Sequence, residues 1–142
     1  MTDVHVVIPA RLASTRLPRK TLMMLGEKPV VQHVWERAQG IGANSVTVAT
    51  DSDEIATVCR GFGADCEITA ATHASGTDRI AEVAARRGWA DDIIVNVQGD
   101  EPFMPAAAIR QVVRLMEDAT TDMATLSVPL ADRQLMEDPN CV

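Results

Sequence analysis

Five short runs rich in apolar and β-branched residues recur along the chain, at Val4 to Ile8, Ser45 to Thr50, Asp65 to Thr69, Ile93 to Gln98 and Met123 to Val128, with stretches of helical periodicity between them. That alternation predicts an α/β fold, a mostly parallel sheet with helices on both faces. The run Ile93-Ile94-Val95-Asn96-Val97 is almost continuously apolar, as a strand covered on both sides has to be. Helices are expected near Val30 to Gln39, Ser52 to Phe62, Gly76 to Arg87 and Pro105 to Asp118. Asp51 or Ser52 can cap the second, with Asp53 and Glu54 in its first turn, and Pro105 suits the first turn of the fourth. At 142 residues, with no Gly/Ser/Pro-rich linker and no internal repeat, there is chain for one cored domain.

In an open α/β sheet, ligands bind beyond the carboxyl ends of the strands, so function is sought in the segments that follow them. The first strand runs into a loop holding Arg11, Arg16, Arg19 and Lys20 and no acid, in a chain whose 13 Lys+Arg are outnumbered by 20 Asp+Glu for a net charge of -7. Pro18 argues for an extended or turning loop there. Guanidinium groups bind phosphate oxygens bidentately and an ammonium adds a compact charge, so Arg11, Arg16 and Lys20 can neutralise a polyphosphate tail. The plainer alternative is a solvated surface loop.

The fourth strand leads into Gln98-Gly99-Asp100-Glu101-Pro102. Mg²⁺ commonly takes one or two protein carboxylates and completes its octahedron with phosphate oxygens and water, so Asp100 alone can anchor it. A turn with a capping acid is the alternative. The third strand leads into Ser75-Gly76-Thr77-Asp78-Arg79 at a helix start, where unpaired backbone donors and short side chains admit a planar ligand edge, or where Ser75 is simply a cap. Asp51 reads as a cap rather than a metal ligand. His73, with no second histidine or nucleophile nearby in the sequence, reads as packing or ligand contact rather than catalysis.

Several classes are disfavoured. The sequence contains neither G-x-x-x-x-G-K-[ST] nor a complete G-x-G-x-x-G after a strand; Gly40-Ile41-Gly42 follows a helix and reads as its exit turn. A pI near 4.8 and 3% aromatic residues argue against nucleic-acid binding. No apolar run approaches the roughly 20 residues of a membrane helix, and no basic-then-apolar leader opens the chain, so no membrane insertion and a cytoplasmic location are expected. Cys59, Cys66 and Cys141 have neither disulfide-framework nor zinc spacing and are expected to be reduced thiols.

Taken together, Pro9-Ala10-Arg11, Ser14, Arg16-Leu17-Pro18, Lys20, Gly26-Glu27-Lys28-Pro29, Gln32-His33-Val34, Ser75-Gly76-Thr77-Asp78-Arg79 and Asn96-Val97-Gln98-Gly99-Asp100-Glu101-Pro102 closely resemble the 3-deoxy-manno-octulosonate cytidylyltransferases along essentially the whole chain. The opening loop is shared by sugar nucleotidyltransferases broadly; S-G-T-D-R with N-V-Q-G-D-E-P is far more specific.

The resemblance implies a Rossmann-like nucleotide-diphospho-sugar transferase fold, with residues 1–142 the nucleotide-binding portion of a single, truncated domain. It implies transfer of CMP from CTP to the acid sugar Kdo, giving CMP-Kdo and pyrophosphate for lipopolysaccharide assembly. Mg²⁺ would be the cofactor, and a homodimer the full-length state. It further implies that Pro9, Ala10, Arg11, Ser14, Arg16 and Lys20 contact the nucleotide, that Ser75, Gly76, Thr77 and Asp78 lie near the cytosine, that Gln98 lines the site, and that Asp100 is a magnesium ligand. Arg11, Arg16, Lys20 and Asp100 would carry the catalysis. Two positions depart from the pattern: Arg19 stands where the family usually has glycine, and Thr21 where proline is common. A cytidylyltransferase for another acid sugar, a pyrophosphorylase for another sugar, or a nucleotide-binding piece without activity are the alternative readings.

Overall fold

The computed structural model describes residues 2–13 and 17–127. Strand β1 (Val4–Pro9) is followed by a short 3-10 turn (Lys20–Leu22) and a hairpin of two-residue strands, β2 (Met24–Leu25) and β3 (Lys28–Pro29). Then come α1 (Val30–Gln39), β4 (Ser45–Thr50), α2 (Asp53–Gly61), β5 (Asp65–Ile68), α3 (Gly76–Arg87), β6 (Ile93–Asn96) and α4 (Ala106–Met116).

The main sheet has the order β5-β4-β1-β6, and every pairing in it is parallel. β1 is central, and Val6, Val7 and Ile8 are 0% exposed because both faces of the strand are covered. Alternation along it divides the core. Val6 and Ile8 pack with Val31, Val34, Ile55 and Ile109 from α1, α2 and α4, whereas Val7 and Ala49 meet Ile80 and Val83 of α3 on the opposite face. The expected layering of helices on both faces is thus observed.

Local chemistry sets the helix ends. Ser52, rather than Asp51, caps α2 by accepting a hydrogen bond from the Ile55 amide at 3.2 Å. α3 ends at Gly88, whose φ of 73° is the left-handed stop that glycine adopts without strain. Pro105 precedes α4 as its cap residue, one position outside the expected first turn.

The expected strand at Met123 to Val128 does not form over residues 123–127, and Val128 lies outside the described residues. Met123 is 85% exposed and Leu126 39%, so among the described residues the run's alternating apolar pattern joins no ladder or core. The β2–β3 hairpin was not anticipated; Gly26, with φ of 71°, opens its two-residue turn.

Strand order dictates where a ligand can sit. From β1 the chain steps outward to β4 and β5 on one side, then crosses back to place β6 on the other. The carboxyl ends of β1 and β6, where the strand order reverses, therefore border the crevice that such sheets offer a ligand.

Candidate functional site

A cleft of about 110 Å³ opens at that crossover. Pro9 and Arg11 enter it from the end of β1, Lys20 and Thr21 from the 3-10 turn, and Gln98, Gly99 and Asp100 from the loop after β6. The first loop doubles back to make this possible. Arg19 donates its amide to the Leu12 carbonyl at 2.9 Å, and the Thr21 hydroxyl donates to the Arg11 carbonyl at 3.2 Å, which returns Lys20 to the mouth of β1.

Gly99 seals the two loops together. Its amide donates to the Pro9 carbonyl at 3.2 Å. A Cβ on Gly99 would lie 2.8 Å from that carbonyl oxygen and 3.2 Å from the Ala10 Cβ, closer than packed atoms tolerate. The Lys20 ammonium consequently sits 3.7 Å from Asp100 Oδ2, with the two side chains 40% and 45% exposed. An ion pair this open to water contributes little and exchanges partners readily.

The cations of the first loop divide by role. Arg11 and Lys20 face the cleft, while Arg19 turns away and forms a two-pronged ion pair with Glu54 in the first turn of α2, Nη1 to Oε2 at 3.1 Å and Nη2 to Oε1. Hydrogen bonding from this guanidinium holds the Glu54 carboxyl below its usual range. Arg16 and Ser14 lie outside the described residues. Arg19 also has φ 61° and ψ 23°, the one positive φ at a non-glycine position among the described residues. An L residue there costs on the order of 1 kcal/mol that glycine avoids. Arg19→Gly is therefore expected to leave nucleotide affinity within about twofold and not to lower the urea midpoint, because an exposed ion pair is lost as backbone strain is relieved. Titration calorimetry and a denaturation curve check both; a sharp loss of CTP binding would contradict the assignment.

The start of α3 forms a neighbouring wall. A Cβ on Gly76 would lie 3.1 Å from Pro9 Cγ and 3.7 Å from Gln98 Nε2, so this turn rests on two residues that line the cleft. Ser75 is a cap: its oxygen accepts from the Asp78 amide at 3.2 Å and its hydroxyl donates to Asp78 Oδ2 at 2.9 Å. Thr77 is exposed. Ala10 is 3% exposed and meets Gly99 rather than the cleft. Pro9, Arg11, Lys20, Gln98 and Asp100 are thus brought together, and Gly76 abuts them.

Thr21 and Gly99 also line the cleft, although neither was singled out as a site residue from sequence. Gly99 carried a signal, standing between Gln98 and Asp100 straight after a strand. Thr21 carried none. Asp51 pairs with Arg79 at 3.6 Å, and His73 pairs with Glu82 at 3.0 Å, so both face protein partners. Cys59 and Cys66 are buried free thiols, and their mutual hydrogen bond and burial push Cys59 up; Cys141 is outside the described residues.

Two cations and one carboxylate around a strand-end cleft suit an anion carrying several charges together with a divalent cation. Among the described residues no group of three or more His, Cys, Asp or Glu side chains is arranged to hold a metal. Asp100 therefore fits Mg²⁺ only when phosphate oxygens share the ion. A wider groove of about 540 Å³ adjoins the cleft, with Lys20 and Asp100 on the common rim and Leu25, Val30, Phe103 and Met104 on its walls. Those apolar walls are a poor match for a polyhydroxylated acid. No helix among the described residues is long and apolar enough to cross a membrane.

Comparison with known proteins adds to this geometry. The family described as "Cytidylyltransferase" matches residues 5–142. The chain is 50% identical over 143 residues to the 3-deoxy-manno-octulosonate cytidylyltransferase of Pasteurella multocida (strain Pm70), covering 100% of this chain and 55% of that protein. It is 54% identical over 139 residues to the protein of that name from Thioalkalivibrio sulfidiphilus (strain HL-EbGR7), covering 96% and 56%. Among solved structures, a CMP:2-keto-3-deoxy-manno-octonic acid synthetase complexed with CTP superposes with a TM-score of 0.78 at 39% identity, covering 83% of this chain and 48% of that one. The chain spans about half the length of the curated relatives it matches.

Proposed function

Because the chain belongs to the cytidylyltransferase family, we propose that it is the nucleotide-binding portion of an enzyme that transfers CMP from CTP to 3-deoxy-manno-octulosonate, releasing pyrophosphate and giving CMP-Kdo for lipopolysaccharide assembly. One observation carries the reading: Arg11 and Lys20, from the two ends of the loop after β1, and Asp100, from the loop after β6, meet in a single cleft at the sheet crossover. The names borne by relatives near 50% identity point to the same chemistry.

In this reading an oxygen of the sugar attacks the α-phosphorus in line and pyrophosphate departs. The reaction needs no covalent enzyme intermediate, so the protein's work is positioning and charge neutralisation. Arg11 and Lys20 hold the triphosphate and stabilise the charge that gathers on the leaving pyrophosphate, with Arg16 of the same loop as a third cation. Asp100 would hold Mg²⁺ shared with the phosphates; when bound, the ion neutralises charge on the phosphoryl oxygens. Gln98 and the turn at Gly76 border the nucleoside, with Ser75, Thr77 and Asp78 behind them. Pro9 and Ala10 lead into the loop that meets the phosphates, and Ser14 is assigned a nucleotide contact from the sequence motif alone. A cytoplasmic location, where CTP is made and used, and a homodimer of the full-length protein complete the proposal.

The test follows pyrophosphate release by this chain and by the full-length protein given CTP, Mg²⁺ and a panel of acid sugars. Release that depends on Kdo is the expected outcome. Release with a different acid sugar alone would move the specificity, and full-length protein silent with every sugar would refute the reading.

A further inference from the structure

Arg79 is the most deeply withdrawn cation among the ion pairs of the described residues, with its side chain 5% exposed. A buried guanidinium is costly unless its donors are satisfied, and here they are spent on two loops at the carboxyl ends of neighbouring strands. Nη1 donates to Thr69 Oγ1 at 2.5 Å and to the Ala70 carbonyl at 3.2 Å, both just beyond β5. Nη2 lies 3.6 Å from Asp51 Oδ2, just beyond β4. The two loops are themselves joined, since the Thr69 amide donates to the Thr50 carbonyl at 2.8 Å.

Arg79 stands in the first turn of α3, three residues after Gly76. Gly76 in turn rests against Pro9 and Gln98 at the wall of the cleft. The guanidinium thus fixes α3 to the sheet one turn behind the surface that borders the cleft. A lysine cannot take its place: an ammonium has no planar fork with which to bond two acceptors on one loop while facing a carboxylate on another.

We infer that Arg79 is a positioning residue for the nucleoside half of the ligand: by locking α3 to the loops after β4 and β5, it sets the wall at Gly76 and Gln98, while its own bonds reach neither of the cleft cations, Arg11 and Lys20. The inference rests on the cytidylyl reading above. It has a directional consequence, because the guanidinium bonds of Arg79 go to Thr69, Ala70 and Asp51, whereas Arg11 and Lys20 belong to the loop after β1 and are held by the Thr21 hydroxyl and by Asp100. Disturbing Arg79 weakens what binds through the nucleoside and spares what binds through phosphate alone. A purely structural residue would lower both affinities together or neither.

The experiment measures the affinities of CMP and of magnesium pyrophosphate by calorimetry for the parent chain, Arg79→Lys and Thr69→Val, with a thermal melt of each. Thr69→Val removes the hydroxyl acceptor at nearly constant volume, so the network can be broken from its far side should Arg79→Lys fold poorly. CMP affinity is expected to fall about tenfold in both variants, as sub-ångström misplacement of a binding wall allows, with pyrophosphate affinity within about twofold of the parent. Equal losses for the two ligands, or unchanged CMP affinity in a folded variant, would overturn the inference alone. A parent chain that binds neither ligand would overturn the cytidylyl reading and this inference with it.

Discussion

Asp100→Asn in the full-length enzyme is expected to lower turnover by about 10²–10³-fold, the usual cost of removing one preorganised electrostatic element from a transition state. The substitution keeps the shape of the side chain and removes its charge. Lys20, 3.7 Å from Asp100 Oδ2, loses only a weak, solvent-exposed partner, so the fold and the melting temperature are expected to hold. Affinity for CTP without metal should stay near normal, or rise slightly as Lys20 is freed for phosphate. The loss therefore appears in kcat and in the magnesium dependence rather than in nucleotide binding. Pyrophosphate release assayed over a magnesium series reads all three, and near-normal release by Asp100→Asn would remove the carboxylate from the mechanism.

Gly99→Ala is expected to be the most damaging single methyl group in the cleft. Its new Cβ would stand 2.8 Å from the Pro9 carbonyl oxygen, which is backbone at the end of the central strand and cannot swing aside as a flexible side chain would. Relief requires the loop after β6 to lift from β1, which breaks the Gly99 amide's 3.2 Å bond to the same oxygen. Overpacking of this kind costs about 1–3 kcal/mol. The movement also carries Asp100 away from Lys20, so CTP affinity should drop more than about tenfold. Urea unfolding and nucleotide titration measure the two effects. A folded variant with parental affinity would mean that the seal between the loops is not needed.

The sequence displayed the scaffold more fully than the site. Val30–Gln39 and Gly76–Arg87 were legible to the residue, because their buried stripes recur at helical spacing and Ser75 and Gly88 mark the ends of the second. β1, β4, β5 and β6 were legible within a residue or two, since β1 and its neighbours read as near-continuous apolar and β-branched runs, while the edge strand β5, Asp65–Ile68, alternates charged and apolar residues. The same reasoning misread Met123 to Val128 over residues 123–127, where local pattern suggests a strand but no neighbouring strand among the described residues supplies the ladder. It also passed over the β2–β3 hairpin, whose two-residue strands are too short for any period to register.

Of the site, sequence indicated which loops matter but not how the side chains in them are aimed. Arg11, Arg19 and Lys20 look alike in a cationic run, yet a backbone turn at Arg19 sends its side chain to Glu54 and leaves the other two at the cleft. Arg79 had a signal that went unused: it lies four residues before Val83 on the buried stripe of α3, where a charge implies an internal partner. That partner set, Thr69, Ala70 and Asp51, is a product of strand order and so is invisible before the chain is folded.

The central claim is that one cleft receives the triphosphate and its metal together. It is tested most directly by titrating the chain with CTP and Mn²⁺ in place of magnesium and following paramagnetic broadening of its amide resonances. Broadening should be strongest at Lys20, Thr21, Gly99 and Asp100, and far weaker at His5 and Asp92, which are hydrogen-bonded to each other at the opposite end of the sheet. Broadening that requires CTP but centres away from residues 99 and 100, or that leaves the loop after β1 unchanged, would contradict the account.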